Sequence, residues 1–382
     1  MAFMENRIRG LDGLRAIAVL MVFTQHRITG PGNEIGHLGV WIFFALSGFL
    51  ITGILTGQRE KIDDETSHFF AELKRFLFRR TLRIFPVYYL LLAVMAALMG
   101  LGFASPWLAP GLLFHFAYLS NIWIGDVLHY WPGPYSHLWS LSIEEQFYIF
   151  FAPLLLIAPA RWHLKFCYVV FAAGVASIML MRIENEPAIV AYTNPLGNFW
   201  LFALGGIGAA WLRREQSVAR QILSRPQTFI ALVCGVAALA ATQPLWKLAA
   251  SPVVYTGICM LYGVCIAATV CSIACSGSAR LVGLLETRWL ASLGRISYGF
   301  YLYHNFVPNF ARLARVKAMF GGQAVPWWVQ ALGVAASFVV ALVLAKLSWR
   351  YIEEPVLRLK TRQTVRAVNT ATPARRADLY RG

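Results

Sequence analysis

The chain has 382 residues, of which 58% are hydrophobic and only 14% are charged, and its formal net charge is +16. A soluble domain of this length cannot bury so large an apolar fraction, so the composition excludes one and indicates an all-α polytopic membrane protein with one integrated domain. So positive a charge would suggest nucleic acid in a soluble protein, but its placement along the chain favours another explanation.

The first apolar stretch carries ionisable residues on one face. The pattern predicts a helix over 11–28, with Arg15 near its start and His26 near its end. Eleven residues make about three helical turns, so the two side chains share a face and lie roughly 16 Å apart along the axis. Ionisable groups in a membrane helix normally point into the bundle. This face therefore predicts an active site that reaches through the membrane.

About ten spanning helices are predicted, packed in one bundle. Their ranges are 11–28, 36–56, 83–102, 138–158, 164–182, 195–212, 226–243, 252–275, 296–316 and 327–348. The apolar segment 106–124 contains Pro106 and Pro110 and is expected to be a re-entrant or interfacial piece. Periodicity is lost after residue 363, so 1–363 is the predicted membrane domain and 364–382 a disordered cytoplasmic tail.

Lysine and arginine set the predicted orientation. If the N-terminus is inside, most of these residues fall in the inside segments, so the positive-inside rule predicts a multi-pass protein with both termini in the cytoplasm. This bias also accounts for most of the net charge. An amphipathic helix within 57–83 is expected at the inner surface. The outer stretch 103–137, rich in Trp, His, Tyr and Pro, is either a lid or acceptor-binding surface or an interfacial aromatic belt.

The sequence offers no metal or nucleotide motif of a familiar kind. Its six cysteines lie inside apolar runs and lack zinc-site spacing, so neither a metal site nor a disulfide framework is expected. A Walker loop, a G-x-S-x-G elbow, an H-E-x-x-H motif and a dinucleotide fingerprint are all absent from the sequence. The chemistry must therefore come from isolated polar residues in the apolar helices.

His26 is the strongest candidate for a general base, because an imidazole titrates near working pH. Glu144 and Glu145 lie at the outer side of the helix 138–158, at a depth similar to that of His26. Adjacent helix positions differ by about 100°, so at least one carboxylate must face the bundle. A carboxylate on the second histidine nitrogen would fix its tautomer. The alternatives are a hydrogen-bonded interior histidine and a structural carboxylate paired with an arginine.

Arg80 and Arg83 form an R-x-x-R pattern on one face at the inner end of the helix 83–102. Together with Arg79 they are suited to the phosphates of a nucleotide-like donor. Ordinary anchoring of a positively charged inner end is the alternative, and the spacing alone favours it.

Three further motifs contain candidate residues. Tyr298 and His304 lie in GRISYGFYLYHNF, where His304 is expected to face inward and either polarise a substrate or satisfy a backbone carbonyl. Glu353 in WRYIEEP is expected to pair with an arginine on the cytoplasmic side such as Arg15. Ser47 in FFALSGFLI is a nucleophile candidate without an adjacent base, and close helix packing is the more economical explanation of that motif.

Taken in order, these motifs resemble the acyltransferase-3 family of bacterial membrane acyltransferases. The resemblance covers about residues 7 to 356. The matching pieces are RIRGLDGLRAIAVLMVFTQH, GVWIFFALSGFLITGIL, RRTLRIFPVYYL, HLWSLSIEEQFYI, LGRISYGFYLYH and WRYIEEP. Many members carry a further periplasmic hydrolase-like domain, for which this chain ends too early, so the resemblance is to the stand-alone form.

The resemblance implies an enzyme of the bacterial inner membrane that transfers an acyl group, often acetyl, from cytoplasmic acyl-CoA to a sugar hydroxyl. The expected acceptors are a surface polysaccharide, a lipopolysaccharide or a signalling oligosaccharide. By the same resemblance His26 is the catalytic histidine and Glu144 the family's carboxylate. The residues expected to bind the donor or substrate are Arg15, Arg80, Arg83, Tyr298, His304 and Glu353.

Acyl-CoA is therefore the expected donor, with a carbohydrate or glycolipid acceptor, the lipid bilayer as surroundings, and neither metal nor nucleic acid. Direct transfer is expected, since the sequence shows no activated Ser or Cys. The alternative function is a transporter of an acylated or lipid-linked glycan, which would have inverted halves that the sequence does not show.

Overall fold

The computed structural model describes residues 8–30, 35–102, 108–213, 218–242, 251–275, 279–310, 314–319 and 325–359. Over these residues the secondary structure is helical without strands, as the all-α class predicts. The α-helices are α1 (Leu11–Thr24), α2 (Ile35–Asp63), α3 (Phe69–Gly100), α4 (Leu108–Phe116), α5 (Ser120–Ile122), α6 (Leu138–Ile157), α7 (His163–Ile183), α8 (Ala188–Thr193), α9 (Leu196–Leu212), α10 (Val218–Leu223), α11 (Pro226–Ala241), α12 (Pro252–Cys275), α13 (Ala279–Leu285), α14 (Arg288–Arg295), α15 (Ser297–Tyr303), α16 (Ala314–Met319) and α17 (Trp327–Ser348). Short π-helical segments follow α1, α5 and α17, at Gln25–Thr29, Trp123–Leu128 and Trp349–Glu353, and 3₁₀ turns at Gly133–Tyr135 and Ala160–Trp162 precede α6 and α7.

Seven helical segments in the described part of the chain are long and apolar enough to cross a membrane. They are Ile35–Asp63, Phe69–Gly100, Gly133–Ile157, Ala160–Ile183, Ala188–Leu212, Pro252–Cys275 and Trp327–Leu359. The polytopic membrane architecture is therefore confirmed. Seven rather than ten segments meet the length, because α1 has 14 residues, α11 has 16, and the helix expected over 296–316 is interrupted.

The amphipathic stretch and the third predicted span form one continuous helix. α3 runs from Phe69 to Gly100 and contains Pro86 in its interior. A proline is tolerated inside a membrane helix when neighbouring groups satisfy the carbonyl it leaves free. The helix predicted within 57–83 is therefore present from Phe69 onward, and it continues directly into the span.

The helix predicted over 296–316 ends at Tyr303, followed by turns at His304–Phe306. Pro308 lacks the N–H that would bond to the carbonyl of His304 four residues earlier. The side chain of Arg27 replaces it: Nη2 donates to the carbonyl oxygens of His304 and, at 2.7 Å, Val307. A proline and a buried arginine thus end this helix early.

The predicted segment 106–124 forms α4, α5 and the start of a π-helical segment, with a break at Tyr118, whose φ is 53°. Residues 106 and 107 at its start lie outside the described residues. The tail 364–382 and the boundary at residue 363 also lie outside them, so the domain division stays a prediction.

Helix α2 lies at the centre of the bundle and contacts α1, α6, α9 and α12. Glycines allow the closest of these approaches. A Cβ on Gly48 would lie 1.9 Å from the carbonyl oxygen of Phe202 on α9, and one on Gly205 of α9 would lie 2.1 Å from the carbonyl oxygen of Ala45. Small residues allow helix backbones to pack in direct contact within a membrane. This contact fixes the face of α2 that the site uses.

Candidate active site

A small cavity of about 80 Å³, here called the arginine cavity, lies among α1, α2, α3, α6 and α15. Its charged and polar lining residues include Arg15, Ser47, Arg80, Arg83, Glu144 and Tyr298. Each comes from an apolar helix, where an ionisable side chain must face the bundle or water. The structure therefore brings five of the eight predicted site residues together in one place.

The side chains of the arginine cavity are held by one another. Glu144 Oε1 accepts a 2.5 Å hydrogen bond from Ser47 Oγ and a second from the Tyr148 hydroxyl. The guanidinium carbon of Arg80 lies 5.4 Å from the centre of the Tyr148 ring, within cation–π distance. Arg15 Nη1 donates to Asp12 Oδ1 at 2.8 Å. The cavity thus presents three arginines around one carboxylate.

Two predicted pairings differ from those observed. Glu144 was a possible partner for His26, but its described hydrogen bonds are to Ser47 and Tyr148. Glu353 does not pair with Arg15, because Asp12 meets that arginine from one helical turn away. The Glu353 carboxylate is buried and accepts a 3.0 Å bond from Ser348 Oγ.

A second and larger cavity of about 610 Å³, here called the histidine cavity, contains His26. Its lining is rich in aromatic and imidazole rings: His26, His37, His129, Trp131, Trp139 and Tyr192. Part of it comes from the predicted aromatic stretch 103–137. Aromatic rings with polar edges suit a ligand that has both apolar faces and hydroxyl groups.

His26 is paired with a second histidine. Its Nδ1 lies 2.8 Å from Nε2 of His304, and the two rings are nearly parallel, with an angle of 4° between their planes and centroids 5.0 Å apart. His304 is fully buried, and its own Nδ1 lies 2.5 Å from the carbonyl oxygen of Tyr301. The sequence placed His304 facing inward, as the structure has it, but it gave no sign that the two histidines meet.

Gln25 and Arg27, on either side of His26, were not among the predicted site residues. Gln25 Oε1 accepts hydrogen bonds from the backbone N–H groups of Gly36 at 2.7 Å and His37 at 3.3 Å. These N–H groups lie in the first turn of α2 and therefore have no acceptor within their own helix. Arg27 is buried and holds the carbonyls after α15. An arginine at the end of an apolar helix, directly after the candidate base, is the sequence signal that would have identified it.

The two cavities share part of their lining. Val40 and Tyr301 contact both, so these side chains form the wall between them. The Tyr301 hydroxyl is held by Ser140 Oγ at 2.6 Å and by the carbonyl oxygen of His137 at 3.2 Å. Helices α1, α2 and α6 line the arginine cavity nearer one end and the histidine cavity nearer the other. The cavities are therefore stacked along the helix axes.

The remaining predicted residues occupy supporting positions. The Tyr298 hydroxyl donates to the carbonyl oxygen of Ile84 at 3.0 Å while its side chain lines the arginine cavity. Glu145 is buried and Glu144 lines the arginine cavity, so both adjacent glutamates face the bundle. The sequence required this of at least one of them. Among the described residues, no group of three or more His, Cys, Asp or Glu side chains is placed to hold a metal ion.

Comparison with known proteins gives a consistent family signal. A family model described as an acyltransferase domain matches residues 8–346. The chain is 31% identical over 372 residues to YrhL of Bacillus subtilis, whose name describes a candidate peptidoglycan O-acetyltransferase. This match covers 91% of this chain and 55% of that protein. It is 29% identical over 379 residues to the peptidoglycan O-acetyltransferase OatA of Listeria monocytogenes, covering 93% of this chain and 56% of that protein.

A candidate O-acetyltransferase of Staphylococcus aureus is 28% identical over 379 residues, with 91% of this chain and 57% of that protein covered. The chain thus spans little more than half the length of these curated relatives. No solved structure gives a significant match.

Proposed function

Because the chain belongs to the acyltransferase domain family, we propose that it is a membrane O-acetyltransferase that moves an acetyl group from acyl-CoA to a hydroxyl of a cell-envelope polysaccharide. The names of the relatives favour a glycan acceptor of this kind. The observation that carries the proposal is the stacking of a three-arginine cavity on a histidine cavity, with Val40 and Tyr301 shared between them.

The arginine cavity is suited to the donor. Guanidinium groups bind phosphate oxygens through paired, charge-assisted hydrogen bonds, and acyl-CoA carries its phosphates at the end remote from the thioester. Arg80, Arg83 and Arg15 line the same small space. The predicted orientation places this end of the bundle at the cytoplasm, where acyl-CoA is made.

The histidine cavity is suited to the acceptor and the chemistry. His26 would take the proton of the acceptor hydroxyl while that oxygen attacks the thioester carbonyl carbon. The carbon–sulfur bond then breaks, and the thiolate leaves with the proton returned by the imidazolium. The products are the glycan ester and the free CoA thiol, so atoms and charge balance without a further reactant.

Transfer is direct in this scheme. Gly36 contacts Gln25, next to His26, and Ser47 lies eleven residues further along α2, roughly 16 Å down the axis. An acyl group esterified to Ser47 would therefore remain in the arginine cavity, far from the base. The long pantetheine arm of the donor bridges this distance instead and carries the thioester past Val40 and Tyr301.

The test measures transfer of labelled acetyl from acetyl-CoA to envelope glycan by the full chain in membranes. His26→Ala should abolish transfer, whereas His68→Ala, at a histidine just before α3 and outside both cavities, should leave it unchanged. Melting temperatures in detergent verify that both variants fold. Full transfer by a folded His26→Ala protein refutes the proposal. Glycan flux across vesicles without ester formation would instead identify the transporter.

A further inference from the structure

We propose that His304 is a positioning residue that fixes the tautomer of His26, in the place where a carboxylate was expected. The inference rests on the proposed function, since it assigns a part in the same reaction. The hydrogen-bond chain from the Tyr301 carbonyl through His304 to His26 carries it.

The direction of this chain follows from its fixed end. A carbonyl oxygen only accepts, so His304 Nδ1 donates its proton to Tyr301. In a neutral imidazole the other nitrogen is then an acceptor, and His304 Nε2 receives the Nδ1–H of His26 at 2.8 Å. The lone pair of His26 is thereby placed on Nε2. A backbone carbonyl thus selects the basic nitrogen of a residue on another helix.

His304 is held firmly enough to act in this way. Its ring is fully buried and is parallel to the rings of His26 and Phe300, whose centroids lie 5.0 and 6.4 Å away. Its backbone carbonyl is bound by Arg27, and the turn after it is fixed by the Arg27 bond to Val307. Ring and backbone are both anchored, so the acceptor nitrogen stays aimed at His26.

A histidine suits this position better than a carboxylate would. A carboxylate would bury a permanent charge, whereas the neutral pair buries none before the reaction begins. When His26 gains a proton from the acceptor, its Nδ1–H can shift toward His304 Nε2, so the positive charge is shared by two rings. At the far end the Tyr301 carbonyl accepts the Nδ1–H of His304 and holds the chain in one direction.

Substitution by the two amides gives the test. In His304→Gln the longer side chain carries its amide to the position of the imidazole Nε2, where it can accept from His26. In His304→Asn the shorter side chain carries its amide only as far as the Nδ1 position, so it cannot replace the missing acceptor. The two variants therefore differ in reach and not in chemistry.

The readout is the steady-state kinetics of the detergent-purified full chain. His304→Gln should keep kcat within about tenfold of the native value, because the acceptor is restored. His304→Asn and His304→Leu should lower kcat by about 10³-fold or more, the scale seen when an orienting partner is removed from a catalytic histidine. The KM for acetyl-CoA should not change in any of them.

The outcomes are separable. If the native chain transfers acetyl but the Gln and Asn variants have equal kcat, the positioning role is refuted while the proposed function stands. A rise in donor KM with unchanged kcat refutes it as well, since that places His304 in binding. If the His304→Leu variant does not fold, the comparison of kcat between His304→Gln and His304→Asn decides whether His304 has the positioning role. If the native chain transfers nothing to any glycan, the proposed function itself fails.

Discussion

The wall between the two cavities predicts which acyl groups the protein accepts. Val40 is buried, only 5% exposed, and contributes one of the two side chains that both cavities share. Val40→Ala removes two methyl groups from this wall. A hydrophobic pocket discriminates by about 1–3 kcal/mol for each methylene it gains or loses. The ratio of kcat/KM for butyryl-CoA to that for acetyl-CoA should therefore rise about tenfold or more.

Val22→Ala is the matched control. Val22 is also a buried valine, and it lines the histidine cavity but not the arginine cavity. Its replacement removes the same two methyl groups and carries a similar packing cost. Because Val22 lies outside the shared wall, the butyryl to acetyl ratio should stay near that of the native protein.

The assay measures initial rates with labelled acetyl-CoA and butyryl-CoA at saturating glycan, in the same membranes for all three proteins. Reporting the ratio removes differences in the amount of folded protein. An equal rise in both variants would show that the added volume acts anywhere in the histidine cavity. No rise in the Val40 variant would show that the acyl group does not pass this wall. Either result refutes the reasoning.

Three other predictions follow from the geometry. Arg83→Gln should raise the KM for acetyl-CoA about 10-fold or more with little change in kcat. The control is Arg75→Gln, because Arg75 is half-exposed, pairs with Glu72 and lies outside the cavities. In the same kinetic measurement it should change neither the KM nor the kcat. Ser47→Ala should still transfer acetyl, and intact-mass measurement of the native chain during turnover should find no acetylated form. Gly48→Ala should lower the melting temperature by several degrees through its clash with α9, whereas Gly57→Ala, with open space at its Cβ position, should not lower it.

The placement of the polar residues was predictable from one physical rule. An ionisable side chain in an apolar helix must face the bundle, so Arg15 and at least one of Glu144 and Glu145 were expected inward, and Arg15 and Glu144 line one cavity. The order of the motifs along the chain then gave the family. Composition likewise determined the helical membrane class, because so apolar a chain has few other stable forms.

The pairings inside the site were not predictable, for two different reasons. His26 and His304 lie 278 residues apart, and helical periodicity does not say which inward-facing groups meet across a bundle. For Glu353 an arginine partner such as Arg15 was expected, but its carboxylate accepts from Ser348, and Asp12, three residues before Arg15, pairs with that arginine instead. Likewise the early end of α15 depends on Arg27, which lies about 280 residues away along the chain.

The π-helical segment after α1 explains how three consecutive residues serve three partners. In an ordinary α-helix, neighbours separated by about 100° rarely all belong to one site. Here Gln25 caps α2, His26 faces the cavity and His304, and Arg27 holds the carbonyls beyond α15. A π-helical turn is wider, and such turns are common at functional sites. The segment thereby connects the first turn of α2 and the end of α15 to His26. A displacement of either element should therefore change the position of the His26 imidazole.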